Sequence, residues 1–108
     1  MATTKRPLRE SDIEKYLVKQ AKALDGEVRK VKWIGRRAAP DRIVMLPRRA
    51  PRIVNGKAAD ERNTIWIELK APGAKPEAHQ LREHERMRKM GQRVEVVDSY
   101  ERVDEVLS

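Results

Sequence analysis

The stretch "TIWIELKAPG", residues 64–73, decides how the rest of the chain is read. Ile65, Trp66, Ile67 and Leu69 have the β-branched and aromatic character of a buried strand, and Pro72 and Gly73 forbid its continuation. Glu68 and Lys70 interrupt the end of this run, where burying a charge is costly without a partner. Side chains alternate across a strand, so the acid and the base share one face while Leu69 points to the other. A charged pair at the end of a rigid central strand suits chemistry. An isolated E-x-K triplet in a charge-rich chain is equally well read as a surface ion pair.

Downstream, "EAHQLREHERMRKMG" has helical spacing, with Leu81, His84, Met87 and Arg88 on one face and Gly91 as its stop. The arginines of "REHERMRKM" are expected to form an exposed face with Glu83 and Glu85. "RVEVVD" reads as a last strand and "SYERVDEVL" as a short helix capped by Ser99. A helix this long can return the chain only by crossing over the sheet, so residues 64–97 are predicted to form a right-handed parallel strand–helix–strand unit.

Upstream, "ESDIEKYLVKQAKALDG" places Ile13, Leu17, Ala21 and Leu24 at helical spacings of four, four and three, with Gly26 as its expected end. "EVRKVKW" reads as a half-exposed strand with a basic side, and "DRIVML" as an interior strand stopped by Pro47. Residues 47–63, with two prolines, "NG" and the polar "KAADERN", read as an excursion holding at most a short "RIV" strand. No internal repeat is visible. The predicted order is α-β-β-β-α-β-α.

The 108 residues suffice for one domain with a modest core, so residues 1–108 are read as a single domain. Twenty-five Lys and Arg against seventeen Asp and Glu leave a net charge of +8, which favours a polyanionic partner, nucleic acid or an anionic membrane surface. With no cysteine, disulfides and Cys-based zinc or redox sites are excluded, and a reducing cytoplasm fits. No apolar stretch approaches the roughly 18 residues that span a bilayer, and "MATTKRPLRE" carries no export signal, so a cytoplasmic protein is expected.

A second acid changes the reading of the triplet. Asp41 follows Pro40 and opens "RIVML", and an adjacent antiparallel strand would set its carboxylate beside Glu68. Two neighbouring carboxylates need a cation between them, or one takes up a proton. Magnesium suits the first case: a hard ion that accepts a few carboxylate or carbonyl oxygens, keeps waters and is completed by a substrate phosphate. His79 and His84, five apart, do not share a helix face as an i, i+4 zinc pair would. Lys30, Lys32, Arg36, Arg37 and Arg42 cluster around the approach to Asp41, placed to hold phosphates flanking a scissile bond, or else simply solvated. Trp33 and Trp66 are read as packing residues, with base stacking an option for Trp33.

"PD" at Pro40 and Asp41 followed by "ELK" at residues 68–70 resembles the PD-(D/E)XK nuclease motif, and the wider sequence resembles the VRR-NUC branch of that superfamily. "RESDIEKYLV", "GRRAAPDRIVML", "WIELKAPG", "KPEAHQLREHERM" and "GQRVEVVDS" carry the likeness in the family's order. The departure is "AAPDR", where the family more usually has "GxPD", with glycine at the position of Ala38 or Ala39. The resemblance implies a restriction-endonuclease-like α/β core, a mixed sheet flanked by helices. It implies that Asp41, Glu68 and the Leu69 backbone carbonyl bind Mg²⁺ or Mn²⁺, and that Lys70 orients or activates the attacking water and stabilises charge on the phosphate. It implies a further acid from the first helix, Glu10 or Glu14. Helical geometry favours Glu10, which falls on the same face as Ile13 and Leu17, whereas Glu14 lies about a quarter turn away. Gln80 matches the family's recurrent glutamine, expected near the metal-bound water or a phosphate, and reads otherwise as an ordinary first-turn helix residue. The free-standing form of the domain resembles virus-type Holliday junction resolvases, which implies a homodimer cutting four-way DNA junctions. The alternatives are the same chemistry on flap, nicked or linear duplex DNA, and a non-catalytic DNA-binding module.

Overall fold

The structure, a computed structural model, describes residues 6–108. The first five residues, half of the N-terminal stretch read as carrying no export signal, lie outside the described residues. Helix α1 (Glu10–Ala23) precedes strands β1 (Glu27–Lys30) and β2 (Arg42–Met45). A two-stranded hairpin, β3 (Ile53–Val54) and β4 (Lys57–Ala58), comes before the long strand β5 (Thr64–Leu69). Helix α2 (Ala78–Lys89), strand β6 (Val94–Val97) and helix α3 (Tyr100–Leu107) complete the chain.

The main sheet runs β1-β2-β5-β6, with β1, β2 and β5 antiparallel and β5 and β6 parallel. The expected α-β-β-β-α-β-α order therefore holds for the main sheet and its helices. The hairpin is an insertion between β2 and β5, turning at Asn55 and Gly56 (φ 52° and 76°), where the sequence suggested one short strand at most. Left-handed values at both central residues are what an Asn-Gly hairpin turn requires.

One face of β5 makes the core. Ile65, Ile67 and Leu69 are buried with Val44 of β2, Ile13, Leu17 and Ala21 of α1, and Val103, Val106 and Leu107 of α3. The helical spacing read upstream thus marks the buried stripe of α1. Its ending differs from expectation. The left-handed residue is Asp25 (φ 63°), and Gly26 serves packing instead: a Cβ there would lie 2.6 Å from the Met45 carbonyl oxygen and 2.7 Å from Leu46 Cδ2. Ser99 caps α3 as read, accepting from the Arg102 N–H at 3.0 Å, and Gly91 (φ 83°) follows α2.

Helix α2 covers the other face of β5, rotated from the expected orientation. Glu83, His84 and Met87 are buried, whereas Leu81 is half exposed. Two guanidinium groups neutralise Glu83, which makes a buried acid acceptable and leaves Leu81 outside. β1 stops at Lys30 rather than reaching Trp33, although the Val31 N–H still donates to the Asp41 carbonyl (2.9 Å). Trp33 turns back, donates from Nε1 to the Pro40 carbonyl (2.9 Å) and packs on Trp66 with ring centres 5.2 Å apart. Among the described residues no helix is long and apolar enough to cross a membrane.

Candidate active site

The register of the β2–β5 ladder decides where the acids meet. Arg42 pairs with Ile67, so the antiparallel partner one residue beyond Arg42 is Asp41, level with Glu68. Residues opposite one another in an antiparallel pair project to the same face. Lys70 lies just past the end of β5, its N–H donating to the Val97 carbonyl (2.9 Å). Leu69, between the two charged residues, sends its side chain into the core, as strand alternation predicts.

Glu68 is 8% exposed. Its ordinary pKa of 4.5 is pushed up to about 7, first by burial and further by the charges of Asp41 and Glu10, against the opposing pull of Lys70 and His79. Three acidic groups and two basic ones thus act on one another at this end of the sheet. Among the described residues the one side-chain hydrogen-bond partner of Glu68 is His84, with Nε2 3.1 Å from Oε1. His84 is fully buried, and burial depresses its pKa, which favours the neutral ring. Opposite an ionised Glu68 the ring proton sits on Nε2, which leaves the buried and unpartnered Nδ1 as a bare acceptor.

The remaining sequence-predicted residues are placed as follows. Glu10 is the first residue of α1 and is exposed, not on the buried face beside Ile13. It lies in the first turn, before packing against the sheet begins. Glu14, half buried, is taken up by an ion pair with Arg42. Arg42 itself points into α1 as Ile67 does, bonded to Glu14 and to Asp41 (Nη1 to Oδ1, 3.0 Å), and so is not a free cation facing solvent. The expected third acid does not complete a cluster: among the described residues no three His, Asp or Glu side chains converge as a metal cage. Gln80 is the third residue of α2, where its Oε1 accepts the Glu77 N–H (2.8 Å) in a capping box. Lys30 and Lys32 are exposed, as are Arg36 and Arg37, although Arg36 also holds Glu83 (3.0 and 3.1 Å). Sequence reasoning gave no role to His84, though it set that residue on the inward face. It also misplaced Glu83, whose one signal was an acid spaced to meet both Arg86 in its own helix and a basic loop.

The donor set nonetheless fits a hard divalent ion of the magnesium type. Such an ion takes one or two carboxylates and draws its other ligands from water and substrate phosphate, so a three-ligand cage is not required. A buried carboxylate disfavoured in its ionised form beside a second carboxylate is the environment a dication relieves.

The loop before Asp41 carries one more observation. Ala38 has φ 69°, a left-handed value that a side chain makes costly. Ala38 is the residue at the glycine position of "GxPD", so this backbone keeps a glycine conformation without the glycine.

No family model matches the chain. The chain is 44% identical over 94 residues to "Putative nuclease p44" of Acyrthosiphon pisum secondary endosymbiont phage 1, an alignment spanning 87% of each protein. A solved structure, "VRR_NUC domain", superposes with a TM-score of 0.69 at 39% sequence identity, covering 91% of this chain and 92% of that one. That match also identifies the mixed sheet and its flanking helices as a restriction-endonuclease-like core. Likeness of this extent, in sequence and in fold together, establishes that the chain belongs to the VRR-NUC family of the PD-(D/E)XK nuclease superfamily.

Proposed function

We propose that residues 1–108 act as one unit, a Mg²⁺- or Mn²⁺-dependent DNA endonuclease of the cytoplasm of a bacterial or virus-infected bacterial cell that hydrolyses phosphodiester bonds and, as a homodimer, resolves four-way junctions. The observation that carries this reading is the level placement of Asp41 and Glu68 with Lys70 at one end of the sheet, Glu68 being buried and, among the described residues, in no ion pair with a lysine or arginine. The net charge of +8 supports a polyanionic substrate. The two-fold symmetry of a junction suits a two-fold protein with one site per protomer.

Asp41, Glu68 and the Leu69 carbonyl are the groups that would hold the metal, with Glu10 near enough to add negative field. A divalent ion bound there would supply Lewis-acid stabilisation of the phosphate and lower the pKa of the attacking water. Lys70 would orient the attacking water and donate to a non-bridging oxygen, offsetting charge as the new P–O bond forms and the ester P–O bond breaks, while the water's proton passes to solvent and the departing ester oxygen takes one from solvent. Lys30, Lys32, Arg36 and Arg37 hold the flanking backbone. Arg42, bonded to Asp41, orients that carboxylate rather than touching DNA. Gln80 braces the first turn of α2 through the Glu77 N–H.

The test is cleavage of a four-way junction, a flap and a linear duplex at equal concentration, with and without Mg²⁺, beside a mass measurement of the oligomer. Asp41→Asn and Lys70→Ala are each expected to remove cutting while junction binding persists. Cutting retained by both purified variants, or unaffected by EDTA, overturns the reading.

A further inference from the structure

Beside the carboxylates, not over them, an open cleft of about 520 Å³ separates the loop of residues 35–38 from helix α2. Its chemistry comes from Arg36 and Arg37 on the loop and from His79, Arg82, Glu83 and Arg86 on the helix. We propose that this cleft is a subsite for the DNA backbone, in which Arg36, Arg82 and Arg86 bind phosphates adjoining the scissile one and Glu83 organises them. The proposal rests on the nuclease reading and adds the helical wall to it.

Glu83 makes the cleft a built site rather than a patch of solvated charge. It is 3% exposed, and its carboxylate receives Arg36 through Nε (3.1 Å) and Nη2 (3.0 Å) and Arg86 through Nε (3.0 Å) and Nη2 (2.7 Å). Both arginine side chains are still about half exposed, at 47% and 53%. Their inner edges are therefore fixed by a buried acid while donor N–H groups remain at the surface. A guanidinium locked in this way gives up less rotational freedom on meeting a phosphate than a free one does, and its planar fork matches two phosphate oxygens.

The charge balance points the same way. Four guanidinium groups line the cleft against one carboxylate, leaving three net positive charges. Among the described residues Arg37 and Arg82 take part in no ion pair. Arginines used only structurally look different in the same molecule: Arg62 binds Asp60, Arg93 binds Glu95, and Arg102 binds both Glu95 and Glu105. Continuity with the catalytic end comes through His79, which lines the cleft and also acts electrostatically on Glu68. A strand seated in this cleft therefore runs toward Asp41 and Glu68.

The experiment measures binding, not cutting. In an Asp41→Asn background and in EDTA, the affinity of a fluorescent DNA duplex is titrated against salt for Arg82→Ala/Arg86→Ala and for a control with the same charge change, Arg48→Ala/Lys57→Ala, at the hairpin end. The cleft variant is expected to lose about tenfold or more in affinity near 0.1 M salt and to show a log–log salt slope shallower by about two, while the control stays within about twofold. Equal effects from the two pairs, or an unchanged slope, overturn the subsite. Because Arg86 also holds Glu83, Arg82→Glu alone is the second variant; it disturbs no internal pair and is expected to weaken binding on the same scale. A wild-type protein that binds through this cleft but never cuts would sink the nuclease reading and leave the subsite standing. One that cuts while the cleft variants bind normally does the reverse.

Discussion

Glu68 on β5 and Glu83 on α2 are the two buried glutamates of the described residues, at 8% and 3% exposure, and their surroundings push them in opposite directions. Glu83 is met by two arginines, which draw its pKa below the ordinary value even though burial opposes them. Glu68 is met by His84, and burial first, then the field of Asp41 and Glu10, lifts its pKa to about 7 against the pull of Lys70 and His79. Burial raises the pKa of both, so the opposite outcomes rest on the guanidinium partners that Glu83 has and Glu68 lacks. A carboxylate saturated by guanidinium groups is a finished piece of structure that holds a loop to a helix. A carboxylate with no guanidinium or ammonium bonded to it retains coordinating capacity, and in this fold it stands where a strand end, a second acid and a lysine come together.

The sharpest way to break this contrast is to make both acids amides. Glu68→Gln is expected to reduce Mg²⁺-dependent cleavage by about 10²-fold to 10³-fold, the scale of removing one preorganised electrostatic group from a site, with the fold intact. Glu83→Gln is expected to leave the catalytic rate on saturating DNA within about threefold while costing about 1 kcal/mol of stability through weakened charge-assisted hydrogen bonds. Single-turnover cleavage and urea melts on the same preparations read both quantities. If Glu83→Gln is the variant that stops the chemistry, the assignment of the two acids is inverted.

A second experiment reads the contrast through pH. Glu68 has a folded pKa above its unfolded value of 4.5, so between about pH 4.5 and 7 the native state binds more protons than the unfolded chain. Stability from this group therefore falls as pH rises through that window. His84, with a depressed pKa, contributes the opposite slope below its ordinary value, so Glu68→Gln, which keeps His84, is the right reference. In EDTA the amide variant is expected to gain on wild type across that window and to level off above pH 7. Water still reaches part of the Glu68 side chain, which limits the gain to about 1 kcal/mol. Saturating Mg²⁺ is expected to reverse the order at pH 8, because only wild type presents the carboxylate. Parallel pH curves in EDTA would show that Glu68 is an ordinary surface acid.

Much of this was legible in the sequence, for identifiable reasons. Alternation and helical spacing are local, so β5, the stripe of Ile13, Leu17 and Ala21, and the parallel unit through α2 follow from nearest-neighbour patterns. The meeting of Asp41 with Glu68 follows from hairpin-like pairing of two recognisable strands. Apart from Glu10 and the local β3–β4 hairpin, the misread positions depend on partners distant in the chain. Glu83 is inside because Arg36, forty-seven residues earlier, neutralises it, and helical periodicity alone assigned its place to Leu81. Arg42 is inside because Glu14 is there to meet it. Gly26 is a glycine because of Met45 and Leu46, not because a helix ends. Charge pairing across elements is the information that periodicity lacks, and it moved Arg42 from the DNA-facing group to the supporting one.

The loop of residues 35–40 joins the two glutamate sites, since Arg36 docks on Glu83 and the loop delivers Asp41 to the level of Glu68, and Ala38 is its strained point. A left-handed alanine costs about 1 kcal/mol or slightly more, and glycine in its place returns part of that as extra freedom of the unfolded chain. Ala38→Gly is therefore expected to raise stability by about 0.5 kcal/mol, with cleavage and DNA affinity within twofold of wild type. A gain in stability with unchanged cleavage means that the loop's geometry is imposed from its two ends, by the Arg36–Glu83 pair and the β2 register. A large fall in activity means instead that the stiffness of alanine holds Asp41 in place, and the two glutamate sites are then mechanically coupled through one residue.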